Sequence, residues 1–357
     1  FLAQLEESQM VSHTQGSGRR PSLYSINPEA AYAFGGYING NVVGCGLCDV
    51  AGRVIDSREA FFSDLKTPER VVGFMAETFR ELVTPDIHDR CLGSAFAVRG
   101  PINRLQGVVL EAPHLPGWEY VPLRKMLQSA IQSPVNVELF AEAILMGELL
   151  FGQHNMEQQI ALLWLDEGIG TGVSNKGRMN LDQMDRTSIL AHQVVDFNGI
   201  PCSCGKRGCL ITYGSISALM RNVRPYITIT PEAEAEAERR HREDPWHVST
   251  ELELIEDFLD EGNHRTLFEH VFDDFDRSYL AGLSNLINVL RSNKVIFCGR
   301  LAWKYRDRLT RIVEAVEKNS EFFGGHDLEV EWKDLDRESM IRGSAARVFN
   351  NYVEFVE

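Results

Sequence analysis

Runs of apolar residues divide the chain into strands and helices that alternate along most of its length. Short continuous or alternating apolar runs predict strands at 31–38, 42–50, 93–98, 159–165 and 294–298. Apolar residues at intervals of three and four predict helices at about 68–82, 217–223, 251–259, 266–290, 305–317 and 339–352. Strands that alternate with helices in this way predict an α/β protein.

Length and charge narrow the class of protein. The 357 residues are enough for two domains, and 44% hydrophobic and 24% charged residues are typical of a globular protein. A net charge of -15 opposes non-specific binding to DNA or to an anionic membrane, so any DNA contact needs a local basic element. We find no apolar run of membrane-spanning length and no basic signal-peptide start, and we expect a cytoplasmic protein without membrane contact.

One cluster of cysteines predicts a metal centre. His192, Cys202, Cys204 and Cys209 form the pattern H-x9-C-x-C-x4-C, which supplies one imidazole and three thiolates. Four such ligands make a closed tetrahedral zinc site, and closed sites are structural. A disulfide is the alternative, but three clustered cysteines would leave one unpaired. The spacing therefore favours a structural zinc ion.

The same stretch carries a resemblance to a known family. Residues 202–210 read CSCGKRGCL, which resembles the CxCGxxGCLE motif of the ROK family of repressors, open reading frames and sugar kinases. The resemblance implies the actin-like ATPase fold, with two α/β lobes around a cleft. It implies a small lobe formed by 28–142 and 340–357, and a large lobe with the zinc loop at 143–339.

The positions that serve phosphoryl transfer in the family are altered. The family motif GxDIGGT has Tyr37 in place of its Asp and Asn41 in place of its Thr, and neither residue can replace a carboxylate that handles magnesium. The family's Asn-Asp pair, which contains the general base, is replaced by Leu139 and Phe140. A phenyl ring has no lone pair to accept a proton. The resemblance therefore implies a pseudokinase rather than an enzyme.

Two further stretches lie where the family binds a nucleotide. Residues 167–172 read EGIGTG and resemble the second phosphate loop, although a tight turn between two strands is an equal interpretation. Gly299, Arg300 and Leu301 stand where the family has a Gly-Gly turn beside the nucleotide.

The family's sugar contacts are altered as well. His114 replaces an Asn that contacts the sugar, and Ile189 and Ile211 replace two sugar-binding Glu residues. His192 is retained, and in the family it is both a zinc ligand and close to the sugar. His114 and His192 are therefore the candidate effector-binding residues, in a pocket that differs from the usual monosaccharide site.

Residues 1–27 resemble the end of a winged helix-turn-helix, its wing and its linker. This resemblance implies that most of the recognition helix precedes Phe1. Arg19 and Arg20 lie in a polar, glycine-flanked stretch whose simplest interpretation is a solvated linker. An arginine pair of this kind can also enter a narrow minor groove, so Arg19 and Arg20 are the candidate DNA contacts.

The leading hypothesis is a ROK-type DNA-binding regulator, expected to be a repressor, that binds a double-stranded operator and responds to a sugar or sugar derivative. Recognition of a palindrome would require a homodimer or homotetramer. Two alternatives remain: an ATP-dependent ROK sugar kinase, and a zinc-stabilised scaffold that does not contact DNA.

Overall fold

A computed structural model of the chain describes residues 11–14, 23–112, 115–155, 157–179, 190–260, 264–267, 269–320 and 328–354. The strands are β1 (Val11–Thr14), β2 (Leu23–Ile26), β3 (Tyr32–Asn39), β4 (Val42–Asp49), β5 (Val54–Phe61), β6 (Cys91–Val98), β7 (Ile102–Asn103), β8 (Val108–Glu111), β9 (Glu119–Val121), β10 (Val135–Leu139), β11 (Gln159–Leu165), β12 (Ile169–Asn175), β13 (Arg178–Met179), β14 (Lys294–Cys298) and β15 (Glu329–Trp332).

The helices are α1 (Phe62–Leu65), α2 (Pro68–Leu82), α3 (Pro85–His88), α4 (Leu123–Ile131), α5 (Phe140–Phe151), α6 (Ile211–Gly214), α7 (Ile216–Val223), α8 (Pro231–Glu243), α9 (Thr250–Asp260), α10 (His264–Leu267), α11 (Glu269–Leu290), α12 (Arg300–Lys304), α13 (Arg306–Ser320) and α14 (Arg337–Glu354). Within the described residues, no helix is both long enough and apolar enough to span a membrane.

The described residues form two units. Unit 1 holds the chain up to His154 and from Arg337 onward, and unit 2 holds the described residues of 155–336. The sequence placed the start of the second lobe at 143 and its end at 339, whereas the structural division falls after 154 and 336. The difference arises because α5 packs against α14, where Gly147 and Gly343 bring the two backbones together.

Unit 1 is built on a five-stranded sheet of order β10-β6-β3-β4-β5. Strands β10, β6 and β3 are parallel, and β3, β4 and β5 form an antiparallel meander. Helix α2 begins at Pro68, where the Thr67 hydroxyl accepts the Arg70 amide proton, and buries its apolar face. Phe79 of this helix meets Phe34 of β3 edge-to-face, at 5.2 Å between ring centroids. The core of unit 1 thus lies between this helix and the sheet.

Helix α14 covers part of β3 at very close range. A Cβ atom on Gly35 would collide with the carbonyl oxygen of Ile341, so only glycine allows this approach. The Ser344 hydroxyl donates a hydrogen bond of 2.7 Å to the carbonyl oxygen of Gly36. Small residues on both elements therefore let the last helix pack directly on the first strand of the sheet.

Unit 2 has a second five-stranded sheet, of order β13-β12-β11-β14-β15. Strands β11, β14 and β15 are parallel, and β12 is antiparallel to β11. Helix α11 provides much of the core through Phe272, Phe275, Tyr279 and Leu283. Residues 166–168 form the tight turn between β11 and β12, and Gly170 and Gly172 lie within β12. Of the two interpretations of the glycine-rich stretch, the structure has the strand-to-strand turn.

Strands β1 and β2 form a separate antiparallel pair at the start of the described chain. Thr14 pairs with Leu23, so residues 15–22 connect the two strands. Arg19 and Arg20 stand between these two strands in the sequence and lie outside the described residues.

Candidate metal centre and kinase-like positions

The segment from Leu190 to Cys209 folds as a tight loop because of its backbone hydrogen bonds. The Gly208 amide donates to the Ile200 carbonyl at 2.8 Å, and the Cys202 amide donates to the Lys206 carbonyl at 2.8 Å. Gly208 has φ +65°, and a Cβ atom there would overlap the Asp196 carbonyl oxygen. This position therefore requires glycine, and the turn that it makes returns the chain to Cys209.

The loop brings all four predicted ligands together. The Nδ1 atom of His192 lies 3.4 Å from the Sγ atom of Cys202, and the Sγ atoms of Cys204 and Cys209 are 3.6 Å apart. All four ligand atoms lie within 4.8 Å of one another. A tetrahedral zinc ion with Zn–S bonds of about 2.3 Å and a Zn–N bond of about 2.0 Å would place neighbouring ligand atoms about 3.5–3.8 Å apart. The 3.6 Å separation lies within this range, and the 3.4 Å separation lies just below it.

The electrostatics of the loop favour a neutral imidazole at His192 and a protonated thiol at Cys209. Burial lowers the pKa of His192, and the Lys206 ammonium lowers it further, which favours the neutral ring. Burial and hydrogen bonds to Cys204 and Cys202 raise the pKa of Cys209 to about 12. Because this thiol holds its proton so firmly, a bound cation would have to displace that proton. The Lys206 ammonium group also donates a 2.9 Å hydrogen bond to the His192 carbonyl oxygen. This bond places a positive charge beside three potential thiolates.

Tyr213 of α6 holds the outer part of the loop in place, and no sequence motif singled it out. Its phenolic oxygen accepts a 3.1 Å hydrogen bond from the Ile200 amide and donates one of 3.1 Å to a carboxylate oxygen of Asp196. The only sequence signal is its position four residues after Cys209. Tyr213 thus joins the helix after the metal loop to the two sides of that loop.

Tyr37, which stands at the position of the family's phosphate-handling Asp, points into the interior of unit 1. It is fully buried on β3, and its hydroxyl donates a 2.5 Å hydrogen bond to Glu59 of β5. A Cβ atom on Gly44 would collide with the phenolic ring, so the ring occupies the space above this glycine. Burial and the Glu59 charge raise the pKa of Tyr37 well above its usual value. The side chain is therefore a neutral packing group.

Phe140, at the position of the general base, begins α5 and is 4% exposed. Three buried charged residues and the partly buried Arg347 link the elements around it, and we call these four the charge quartet: Arg104, Glu138, Glu142 and Arg347. Arg104 pairs with both Glu138 and Glu142, and the Arg347 Nε atom lies 3.0 Å from a Glu138 carboxylate oxygen. Both carboxylates next to Phe140 are thus engaged with guanidinium groups.

Most of the remaining predicted site residues are not among those that the structure describes. His114, Arg19, Arg20 and Ile189 all lie outside the described ranges. Ile211 is described and begins α6, where its side chain lies next to Gly168. The DNA contacts and the effector site remain predictions.

Comparison with known proteins identifies the family. The sequence model of the ROK family matches residues 39–347, and the chain belongs to this family. It is 24% identical over 344 residues to the xylose repressor of Caldicellulosiruptor bescii, a match that covers 95% of this chain and 84% of the repressor. It is 37% identical to the glucokinase of Thermotoga maritima over 125 residues, which are 35% of this chain and 39% of the glucokinase.

Solved structures of the same family share the fold. The ROK hexokinase of Thermus thermophilus superimposes with a TM-score of 0.69 and 20% identity, over 90% of this chain and 99% of the hexokinase. A ROK transcriptional regulator homologous to the E. coli Mlc protein has a TM-score of 0.69 and 18% identity, over 98% of this chain and 87% of the regulator. The predicted α/β, actin-like ATPase fold is confirmed.

Proposed function

We propose that this protein is a DNA-binding transcriptional regulator of the ROK family that acts as a repressor. The xylose repressor match runs through nearly all of this chain, whereas the glucokinase match covers about a third of it. The kinase-like part of the chain then serves as a non-catalytic effector and oligomerisation domain.

The observation that carries the non-catalytic part of the proposal is the environment of Phe140. Its phenyl ring is buried at the start of α5, and the flanking carboxylates Glu138 and Glu142 pair with Arg104. A general base must reach its proton within hydrogen-bond distance and must have a free lone pair. The buried phenol of Tyr37, which bonds to Glu59, supports the same conclusion for the phosphate and metal position.

The metal loop supports a structural zinc ion in this regulator. His192, Cys202, Cys204 and Cys209 would fill all four tetrahedral positions, which leaves no open site for water or substrate. Bound zinc would hold together the loop that precedes α6 in the sequence, and it would stabilise the fold through the free energy of metal binding.

The hairpin at the start of the chain supports the DNA-binding part of the proposal. Strands β1 and β2 pair over four residues each, which is the size of a small wing, and Arg19 and Arg20 stand between them in the sequence. Arginine side chains that enter the minor groove are a common means of DNA contact. Two such hairpins in a dimer would contact the two halves of a palindromic operator.

The effector that we propose is a monosaccharide or a derivative of one. The similar repressors are named for xylose, so D-xylose is the first compound to test. His114 and His192 remain the candidate contacts. Binding would alter the affinity for the operator only as far as the sugar distinguishes between the DNA-bound and free conformations.

Selection from randomised duplex DNA tests the proposal directly. The complete gene product would be incubated with the library at physiological salt, with and without D-xylose and a panel of other sugars and sugar phosphates. We expect enrichment of a palindrome and a change in its retention with one sugar. An Arg19→Ala/Arg20→Ala variant should bind the selected site more weakly, while its zinc content and thermal unfolding stay unchanged. A folded, zinc-loaded protein that enriches no sequence would contradict the proposal and support the scaffold.

A sugar kinase is the second candidate, because the glucokinase match is the one with the highest identity among the relatives compared above. It predicts a phosphorylated product from MgATP and a pentose or hexose. A time-dependent sugar phosphate, formed by the wild-type protein and not by a heat-inactivated control, would establish the kinase and refute the non-catalytic domain.

A further inference from the structure

The start of α12 lies unusually close to the end of β11 within unit 2. Gly299, between β14 and α12, has φ +95°, and a Cβ atom there would collide with the Leu165 carbonyl oxygen. Because only glycine permits this approach, the next residue, Arg300, lies directly beside the β11–β12 turn. Arg300 is 7% exposed.

Every N–H group of the Arg300 side chain donates a hydrogen bond. The Nε atom and one Nη atom bond to the two carboxylate oxygens of Asp166, each at 2.9 Å, and that Nη atom also bonds to Glu167 at 2.6 Å. The other Nη atom bonds to the carbonyl oxygens of Pro245 and Val248, at 3.4 and 3.1 Å. A guanidinium group has five N–H donors, and this set uses all five.

The contacts of Arg300 join two segments that are distant in sequence. Asp166 and Glu167 form the turn between β11 and β12, and Pro245 and Val248 lie in the connection between α8 and α9. The main chain of Asp166 is also held, because its carbonyl accepts a 2.9 Å hydrogen bond from the Ile216 amide at the start of α7. Arg300 therefore fixes the α8–α9 connection against the turn.

The charges at the β11–β12 turn oppose the binding of an anion. A glycine-rich turn can present backbone amides to a phosphate, but this turn carries two carboxylates. Burial alone would lower the pKa of Arg300, but Asp166 and Glu167 outweigh it and raise the pKa. Ser249 also donates to Glu167, at 3.4 Å. Since the guanidinium group is already neutralised and saturated with acceptors, a phosphate would meet net negative charge.

We propose that Arg300 closes the β11–β12 turn: together with Asp166 and Glu167 it holds the α8–α9 connection in place and excludes phosphate groups from this turn. This closure is independent of DNA binding and would hold equally in a scaffold protein.

Calorimetric titration with inorganic triphosphate and with MgATP tests the exclusion. The wild-type protein and the variant Asp166→Gly/Glu167→Thr/Arg300→Gly would be compared, after circular dichroism has shown that both are folded. We expect the variant to bind triphosphate at least about tenfold more tightly than the wild type. Equal affinities, or a folded variant that gains no binding, would overturn the proposal.

Hydrogen exchange tests whether Arg300 holds the α8–α9 connection, in a variant that keeps the positive charge at position 300. Arg300→Lys retains one positive charge but cannot make five fixed hydrogen bonds. We expect faster exchange at the amides of Val248 and Ile216, by about tenfold or more. Arg308→Lys, which alters a partly exposed pair with Asp276, is the matched control and should leave both amides unchanged. Unchanged exchange at both amides in Arg300→Lys would refute the closure, whatever the triple variant does.

Discussion

Removal of Arg104 should be among the most damaging single substitutions in unit 1. Its guanidinium group pairs with Glu138 and Glu142, and all three side chains are almost completely buried. Arg104→Ala would leave two buried carboxylates facing a gap, whereas Arg347 would still pair with one of them, Glu138. Loss of one partner from a buried ion pair costs about 3–5 kcal/mol, because the remaining charge has lost its water without compensation.

This loss can be read as a change in melting temperature. For a unit of about 150–250 residues, 1 kcal/mol corresponds to about 2–4 °C, so we expect the melting transition of unit 1 to fall by about 6–20 °C. Differential scanning calorimetry would measure it, with urea unfolding to confirm the free energy. The matched control is Arg58→Ala, which removes exposed pairs with Asp56 and Glu81 in the same unit and should lower the melting temperature far less, because solvent screens those pairs.

A double variant separates charge from volume. Arg104→Leu/Glu142→Leu removes one positive and one negative charge together, and leaves Glu138 with Arg347. Replacement of a buried pair by apolar side chains is often neutral or stabilising, so this variant should recover most of the loss. If Arg104→Ala lowers the melting temperature no more than Arg58→Ala does, the quartet is hydrated in solution and the reasoning fails.

Three further predictions concern the metal loop, a surface histidine and a helix crossing. Cys209→Ser, or treatment with a chelator, should destabilise unit 2 by up to about 10 kcal/mol of metal-linked free energy. Zinc content and thermal unfolding would measure this loss. The control variant Cys91→Ser should leave the zinc content unchanged. Burial lowers the pKa of His247, but hydrogen bonds to Asp334 and Asp244 outweigh it and raise the pKa above its unfolded value. His247 should therefore add stability below about pH 6.5, and this stability is lost as the pH rises through the folded pKa. The contribution should be less than about 1 kcal/mol, because the ring is half exposed. Urea unfolding of the wild type and His247→Gln at several pH values would show no such difference if the bridge does not form. Gly343→Ala should destabilise unit 1 by about 1–3 kcal/mol, because its Cβ atom would lie 2.6 Å from the Ala143 carbonyl oxygen. The control is Gly73→Ala, in a helix where a Cβ atom meets nothing within 4 Å, and it should stabilise the protein by up to about 1 kcal/mol. Equal effects of the two substitutions on chemical denaturation would contradict the packing argument.

The clustering of the four candidate metal ligands could be predicted from the sequence because these residues are local. All four lie between His192 and Cys209, and glycine at 208 shows where the chain must turn back. Alternation of strands and helices likewise depends on periodicity, which is visible in short windows. These features needed no knowledge of distant contacts.

The partners of the buried charges could not be found in this way. Arg300 meets Asp166 across 134 positions, and Tyr37 meets Glu59 across a meander whose register the sequence does not fix. Periodicity predicts which face of an element is buried, but it does not predict which side chain lies opposite. The division into units after 154 and 336 differs from the predicted lobe bounds for a related reason, since nothing local in α5 shows that it packs on α14.

The position of α14 has a consequence for how the protein is made. Ser344 bonds to Gly36 across 308 positions of sequence, and α14 covers the strand that starts the unit 1 sheet. During synthesis, β3 emerges early but must wait for residues 337–354 before this face is covered. Residues 155–336 are complete sooner, so we expect unit 2 to finish folding on the ribosome before unit 1. The half-built first unit would meanwhile expose an apolar sheet face, and it is there that a nascent chain of this protein would most need a chaperone.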